Sequence, residues 1–166
     1  FRSNNGFWKQ YPPFKQLNLN FRKLANATLF LDDPSLAWGF YYHRLQLYNC
    51  TIPHQGFTIL KKWIDQLKLE YFIYTSNIDN HFQKSNFDTE KILEIHGSIN
   101  TIQCAKNCNS NRLIDSTTLN LHLNINTMRI VGDLPLCSEC GTILRPNVLM
   151  FDDQYFNRQR FSFQYN

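Results

Sequence analysis

The chain has 166 residues and a formal net charge of +4, and 43% of it is hydrophobic, including 14 Phe, 8 Tyr and 3 Trp. This is the length of one domain, or of one domain with a small metal-stapled lobe, and its apolar content excludes a disordered chain. The charge does not support direct nucleic-acid binding, because the basic residues are scattered in runs no longer than Lys61-Lys62 rather than gathered on one face.

In chain order, residues 1 to 30 read as loop with short helical turns, where Gly6, Pro12 and Pro13 punctuate an aromatic-rich stretch. Asp33-Pro34 then marks a helix start, an N-cap carboxylate followed by proline at the first helical position. Trp38, Tyr41, Tyr42, Leu45 and Tyr48 recur at three- and four-residue steps, which carries this amphipathic helix to about residue 48. A second helix is predicted from near Pro53 to Leu67, with Phe57, Leu60, Ile64 and Leu67 on one face and Lys61, Lys62 and Asp65 on the other. Residues 69 to 75 are a β-branched and aromatic run that reads as a buried strand, and Ile92 to Ile95 is a second, closed by His96-Gly97.

Helix followed by buried strand is half of an α/β unit, so the expected sheet is parallel. Ligands of open parallel sheets bind beyond the carboxyl ends of strands. Both Thr75-Ser76-Asn77-Ile78-Asp79 and His96-Gly97 lie at such ends. Taken alone, Asn77 and Asp79 either cap the following helix or hydrogen-bond a carboxamide or sugar. His96 alone is either a satisfied structural histidine or a catalyst, and Gly97 beside it allows close backbone approach to a ligand.

The strongest motif is made of thiols. Cys104 and Cys108, with three residues between them, are answered by Cys137 and Cys140, with two between. Two short-spaced pairs are what a tetrahedral Zn2+ site needs, and four thiolates leave no open position for water, so the expected metal is structural. Residues 109 to 136 between the pairs are polar and Asn-rich, and an irregular insertion is expected there. Cys50 is left over and reads as a small buried apolar residue of a helix. Metal spacing in place of disulfides points to a reducing compartment. With no signal-peptide core, no initiator Met before Phe1-Arg2-Ser3 and no apolar stretch of about 20 residues, a cytoplasmic, cut chain without a membrane partner is expected.

Together these segments resemble the sirtuins, or Sir2 family, the NAD-dependent protein deacylases, over nearly the whole chain and in the family's order. Phe1-Arg2-Ser3 with Gly6, Trp8 and Tyr11 resembles the end of the family's cofactor-binding loop. Thr75-Ser76-Asn77-Ile78-Asp79 is similar to its Thr-Gln-Asn-Ile-Asp, and Glu94-Ile95-His96-Gly97 to its Glu-Leu-His-Gly. Residues 144 to 151, Leu-Arg-Pro-Asn-Val-Leu-Met-Phe, resemble the Leu-Arg-Pro-Asp-Val-Val-x-Phe stretch that precedes the family's Gly-Glu.

The resemblance implies an α/β fold: a partial Rossmann-like parallel sheet with helices over 1–102 and 141–166, and a small zinc-binding lobe over 103–140. It implies NAD as cofactor and Zn2+ on Cys104, Cys108, Cys137 and Cys140, with an acylated-lysine protein or peptide as partner and a monomeric state. His96 becomes the general base that activates a ribose hydroxyl. Phe1, Arg2, Ser76, Asn77, Ile78 and Asp79 would bind the cofactor, and Val148 and Phe151 would flank the acyl-lysine. Tyr41 and Arg44 match the Tyr-x-x-Arg of sirtuins that accept succinyl or malonyl lysine, where an arginine fork beside a phenol suits a terminal carboxylate; the competing reading packs Tyr41 and pairs Arg44 on the helix surface.

The implied reaction is attack of the acyl-lysine carbonyl oxygen on the nicotinamide ribose, expelling nicotinamide. Attack by a ribose hydroxyl, assisted by His96, then leads to free lysine and O-acyl-ADP-ribose. Other readings of the same scaffold are a catalytically impaired zinc-stabilised binding module, or an NAD hydrolase or ADP-ribosyltransferase. Three departures bear on cofactor geometry and substrate choice: Ser76 for Gln, Asn80-His81-Phe82 for Gly-Leu-His, and Asp152-Asp153 for Gly-Glu. The family's Gly-Ala-Gly-x-Ser phosphate loop would stand ahead of Phe1 and its Gly-Thr-Ser loop after Asn166, so these 166 residues alone are expected to be inactive or very weak.

Overall fold

The computed structural model describes residues 11–16, 19–109 and 112–159. Three short helices, α1 (Pro12–Gln16), α2 (Phe21–Leu24) and α3 (Leu29–Asp32), lead into α4 (Pro34–Cys50). The predicted start of α4 is observed: Asp33 accepts from the Leu36 amide at 3.2 Å and Pro34 opens the helix. Helix α5 (Gln55–Leu67) follows with His54 as its cap, its Nδ1 accepting from the Gly56 amide at 3.0 Å. Among the described residues no helix is long and apolar enough to cross a membrane.

Strands β1 (Ile73–Thr75) and β2 (Ile92–Glu94) pair in parallel, with Ile73 beside Ile92 and Thr75 beside Glu94, as the α/β reading requires. The expected buried run 69–75 is corrected in extent. Only its last three residues form strand, and Phe72 and Tyr74 are exposed, because β2 covers one edge and α5 covers only part of one face. Helix α6 (His81–Lys84) separates the two strands.

The longer sheet is antiparallel. Strand β3 (Gly97–Cys104) lies between β4 (Ile114–Asp115) and β7 (Leu144–Val148). Its register with β7 shifts between Ser98 and Ile102, opposite Pro146, whose nitrogen has no hydrogen to give the ladder. Between the cysteine pairs the chain is not the irregular insertion expected. It forms β4 and a hairpin of β5 (His122–Asn124) with β6 (Arg129–Val131). The hairpin docks on α4: Gly39 lets the helix approach so closely that a Cβ there would stand 1.9 Å from the Met128 carbonyl oxygen. Arg129 forks onto both Asp33 oxygens at 2.7 Å, and the Ser35 hydroxyl donates to the Ile130 carbonyl at 2.8 Å. Polar sequence hid this contact, since only Met128 and Ile130 of the hairpin are deeply buried.

The main core runs from Phe14, Leu24 and Phe30 through Trp38, Phe40 and Tyr41 to Ile99, Ile102, Leu144 and Val148. Trp38 Nε1 donates to the Leu144 carbonyl at 2.8 Å, which fixes α4 across β7. A second, small cluster of Phe57, Phe87 and Ile92 lies under α5 and β2. Cys50 is exposed, not buried as expected, because it is the last residue of α4 and the turn there leaves the core, with Ile52 beyond it 87% exposed.

Candidate active-site cleft and metal centre

One cleft of about 410 Å³ collects side chains from five stretches of chain, a volume within the usual range for small-molecule sites. Its floor is the end of β1, where Ser76, Asn77, Ile78 and Asp79 follow the strand. The backbone is pinned there: the Asn77 amide donates to Thr75 Oγ1 at 3.0 Å, and Ile78 accepts from the Ile99 amide at 3.1 Å. Asp79 performs the capping role as well as lining the cleft, since its Oδ1 accepts from the His81 amide at 3.1 Å. Asn80 follows at φ +61; Asn, where glycine is usual, keeps a left-handed turn that most residues resist.

His96 enters from the turn between β2 and β3 and is half-buried. Its carbonyl accepts from the Leu149 amide at 3.0 Å, while the Ile95 amide donates to Thr75 at 2.9 Å. The turn is thus stitched to both walls. Gly97 has φ +74, and a Cβ there would stand 2.0 Å from the Asn147 carbonyl oxygen, so glycine is demanded twice over.

The opposite wall is the end of β7 and the chain after it, with Val148, Leu149, Met150 and Phe151. Arg145, on the same strand, is fully buried and donates to Asp153 at 2.7 Å, an acid that is itself without exposure. Burial pulls the Arg145 guanidinium below its ordinary range, and Asp153 opposes the shift. Asp152 takes φ +56. Asp152-Asp153 therefore retains both a left-handed residue and an acid where the family usually has Gly-Glu.

The third wall is α4. Tyr41 and Arg44 both face the cleft, and neither is a surface residue: they are 2% and 8% exposed. Burial pushes the Tyr41 phenol up. Arg44 donates to the Tyr48 hydroxyl, and its guanidinium lies 5.3 Å from the Phe40 ring centre and 5.7 Å from that of Phe21. The competing reading holds in part: Tyr41 packs in the core and Arg44 pairs with Tyr48 along its own helix, but Arg44 is buried beside the cleft and not on the helix surface. Phe1 and Arg2 lie outside the described residues. Tyr48, Phe21, Ala25 and Met150 also line the cleft and were not singled out from sequence. Tyr48 was findable four residues after Arg44; Phe21 and Ala25 carry no local signal.

The four cysteines converge. Their Sγ atoms all lie within 4.8 Å of one another, with Cys104 to Cys140 and Cys108 to Cys137 at 3.5 Å. Zinc with thiolate bonds of about 2.3 Å sets its ligands roughly 3.8 Å apart, whereas a disulfide needs about 2.05 Å, so the donor set fits the metal. Tight turns make the knuckles: the Asn107 amide donates to the Cys104 carbonyl at 2.9 Å, and that of Gly141, at φ +68, to Cys137 at 2.8 Å. Bonds from Thr142 pull the Cys140 thiol down to about 6, while hydrogen bonds to Cys140 and Cys137 push that of Cys108 up. Four crowded thiols cannot all ionise without a cation.

Comparison with known proteins identifies the scaffold. The Sir2 family model matches residues 1–165, and the chain belongs to the Sir2 family. It is 30% identical over 157 residues to an NAD-dependent protein deacetylase of Saccharolobus solfataricus, covering 95% of this chain and 55% of that protein. It is 28% identical over 153 residues to an NAD-dependent protein deacylase of Aquifex aeolicus, covering 92% and 54%. The chain spans about half the length of the curated relatives it matches. Among solved structures, it is similar to a Sir2 homologue–NAD complex, with a TM-score of 0.66 at 22% identity over 92% of this chain and 51% of that one. It is also similar to a Sir2 mutant with p53 peptide and NAD, with a TM-score of 0.60 at 20% identity over 81% and 53%.

Proposed function

We propose that this chain carries the catalytic centre of an NAD-dependent protein-lysine deacylase. The observation that supports it most is the meeting of His96, the Ser76 to Asp79 floor and the Val148 to Phe151 wall in one cleft. Relatives named as NAD-dependent protein deacylases and deacetylases favour the same reading, as does a similar structure that holds a peptide with NAD.

When bound, NAD supplies the ribose that receives the acyl group and the nicotinamide that leaves. Asn77, Ile78 and Asp79 offer amide, apolar and carboxylate surface to a flat carboxamide ring and its sugar, with Ser76 beside them and Phe1 and Arg2 assigned to the same task. His96 takes a proton from a ribose hydroxyl, which a histidine can do at neutral pH. Val148 and Phe151 hold the lysine stem while the neighbouring backbone receives the peptide as an added strand. Zn2+ on the four cysteines takes no part in bond making; it ties the end of β3, at Cys104, to the chain that leads into β7, the strand that brings Val148 to the cleft wall.

The test is mass spectrometry of the full-length protein that contains this chain, given NAD and an acylated peptide. O-acyl-ADP-ribose that disappears in His96→Ala is the expected result. ADP-ribosylated protein, plain ADP-ribose or no turnover would overturn the reading.

For acyl choice we infer a preference for succinyl or malonyl over acetyl lysine, supported by Tyr41 and Arg44 lining the cleft against apolar walls, where a charge-assisted fork is strong. Equal turnover of acetyl and succinyl peptides, unchanged by Arg44→Ala, would end it.

A further inference from the structure

The cleft mouth carries a polar contact between two segments remote in sequence. Asn26 bridges Phe151 in parallel; the Phe151 amide donates to the Ala25 carbonyl at 2.9 Å, and the Ala27 amide to the Phe151 carbonyl at 3.2 Å. The Arg22 guanidinium lies 5.1 Å from the Phe151 ring centre. Beside this bridge the Asn26 side-chain amide donates to Asp152 Oδ2 at 2.8 Å. The other end of the Asn26 side chain is also held, since its Oδ1 accepts from the Thr28 amide and hydroxyl, both at 2.9 Å.

Phe151 is 40% exposed, so packing alone does not hold its ring. Two edge hydrogen bonds at the surface open readily. Asp152 occupies a left-handed conformation at φ +56 that glycine would take without cost, and in return presents a carboxylate to an amide donor, a charge-assisted bond. We propose that Asn26 and Asp152 form a latch that positions Phe151 at the cleft mouth by holding residues 25–27 against it. Both are positioning residues that act through Phe151. The consequence for turnover rests on the deacylase reading; the latch itself does not.

The conformation of Asp152 allows a clean test. Asp152→Gly deletes the carboxylate and suits the backbone; Asn26→Asp sets two carboxylates face to face; Asn26→Asp with Asp152→Asn restores the bond with donor and acceptor exchanged. Hydrogen exchange at the Ala27 and Phe151 amides is expected to quicken roughly fivefold in Asp152→Gly, the size of one net hydrogen bond. It should quicken more in Asn26→Asp, less so in high salt, and return to within about twofold of the parent in the double variant. In the full-length enzyme the same order should appear in KM for acyl-peptide, with kcat and KM for NAD held within about twofold.

Unchanged exchange in the single variants, or a double variant no better than Asn26→Asp, overturns the latch. Faster exchange with an unmoved peptide KM overturns its positioning role toward substrate. If the parent protein shows no His96-dependent turnover, the deacylase reading falls and exchange alone still decides the latch.

Discussion

The two hydrophobic clusters of this molecule are built differently. In the larger, α4 lies across β7 and the hairpin from the cysteine lobe caps the start of that helix. The smaller joins Phe57, Phe87 and Ile92 under a helix whose apolar face is only half covered. Leu60, Trp63 and Leu67 of α5 remain 45%, 56% and 65% exposed. Parallel strands need cover on both faces, and among the described residues β1 and β2 pair only with each other. What an apolar side chain contributes is set by what stands opposite it.

Removing the metal tests that contrast hardest. Structural zinc contributes on the order of 10 kcal/mol of folding free energy in small domains, so a strong chelator is expected to strip amide protection from β3 and β7 while β1 and β2 change far less. Equal loss in both would show one cooperative unit. The next effect is Asp153→Ala, which leaves the buried Arg145 charge unpaired and should cost about 3–5 kcal/mol in denaturant unfolding. By contrast, Lys91→Ala removes a surface pair with Glu70, which is 97% exposed, and should change stability by under about 0.5 kcal/mol.

A smaller and pH-dependent effect belongs to the hairpin contact. The hydrogen bond from Arg129 is the main reason why the Asp33 carboxyl is held below its ordinary 3.8. A lowered folded-state value gives stability that is present above the unfolded value and lost as pH falls through the folded one. Arg129→Met should therefore lower the unfolding free energy slightly at neutral pH, by about 1 kcal/mol or less, and flatten the acid loss below about pH 4. An unchanged acid limb would separate Asp33 from that loss. Equally small, Trp63→Lys on the open face of α5 should change the unfolding free energy in denaturant by no more than about 0.5 kcal/mol. A large destabilisation would mean that this face is covered.

Much of the site was legible because its parts are local. A strand end followed by Asn77 and Asp79, a histidine before a glycine that must have φ +74, and thiols spaced for two knuckles are each written within a few residues. The less legible parts join distant segments. Nothing near Arg145 announces that Asp153 turns back to it inside the core, and nothing in the polar 109–136 stretch announces a hairpin that grips α4 through Gly39 and Asp33.

Sequence alone determined the start of α4 and, to within two residues, of α5, the parallel strand pair, the thiol quartet and the kinship to the Sir2 family, because capping, periodicity and ligand spacing act over short range. Tertiary structure decided which apolar faces are buried, that Arg44 turns inward beside Tyr48, that Cys50 stays in solvent, and that Asn26 meets Asp152 across 126 positions. Such facts depend on which surfaces meet once the chain closes, and burial, charge pairing and positioning exist only between surfaces that have met.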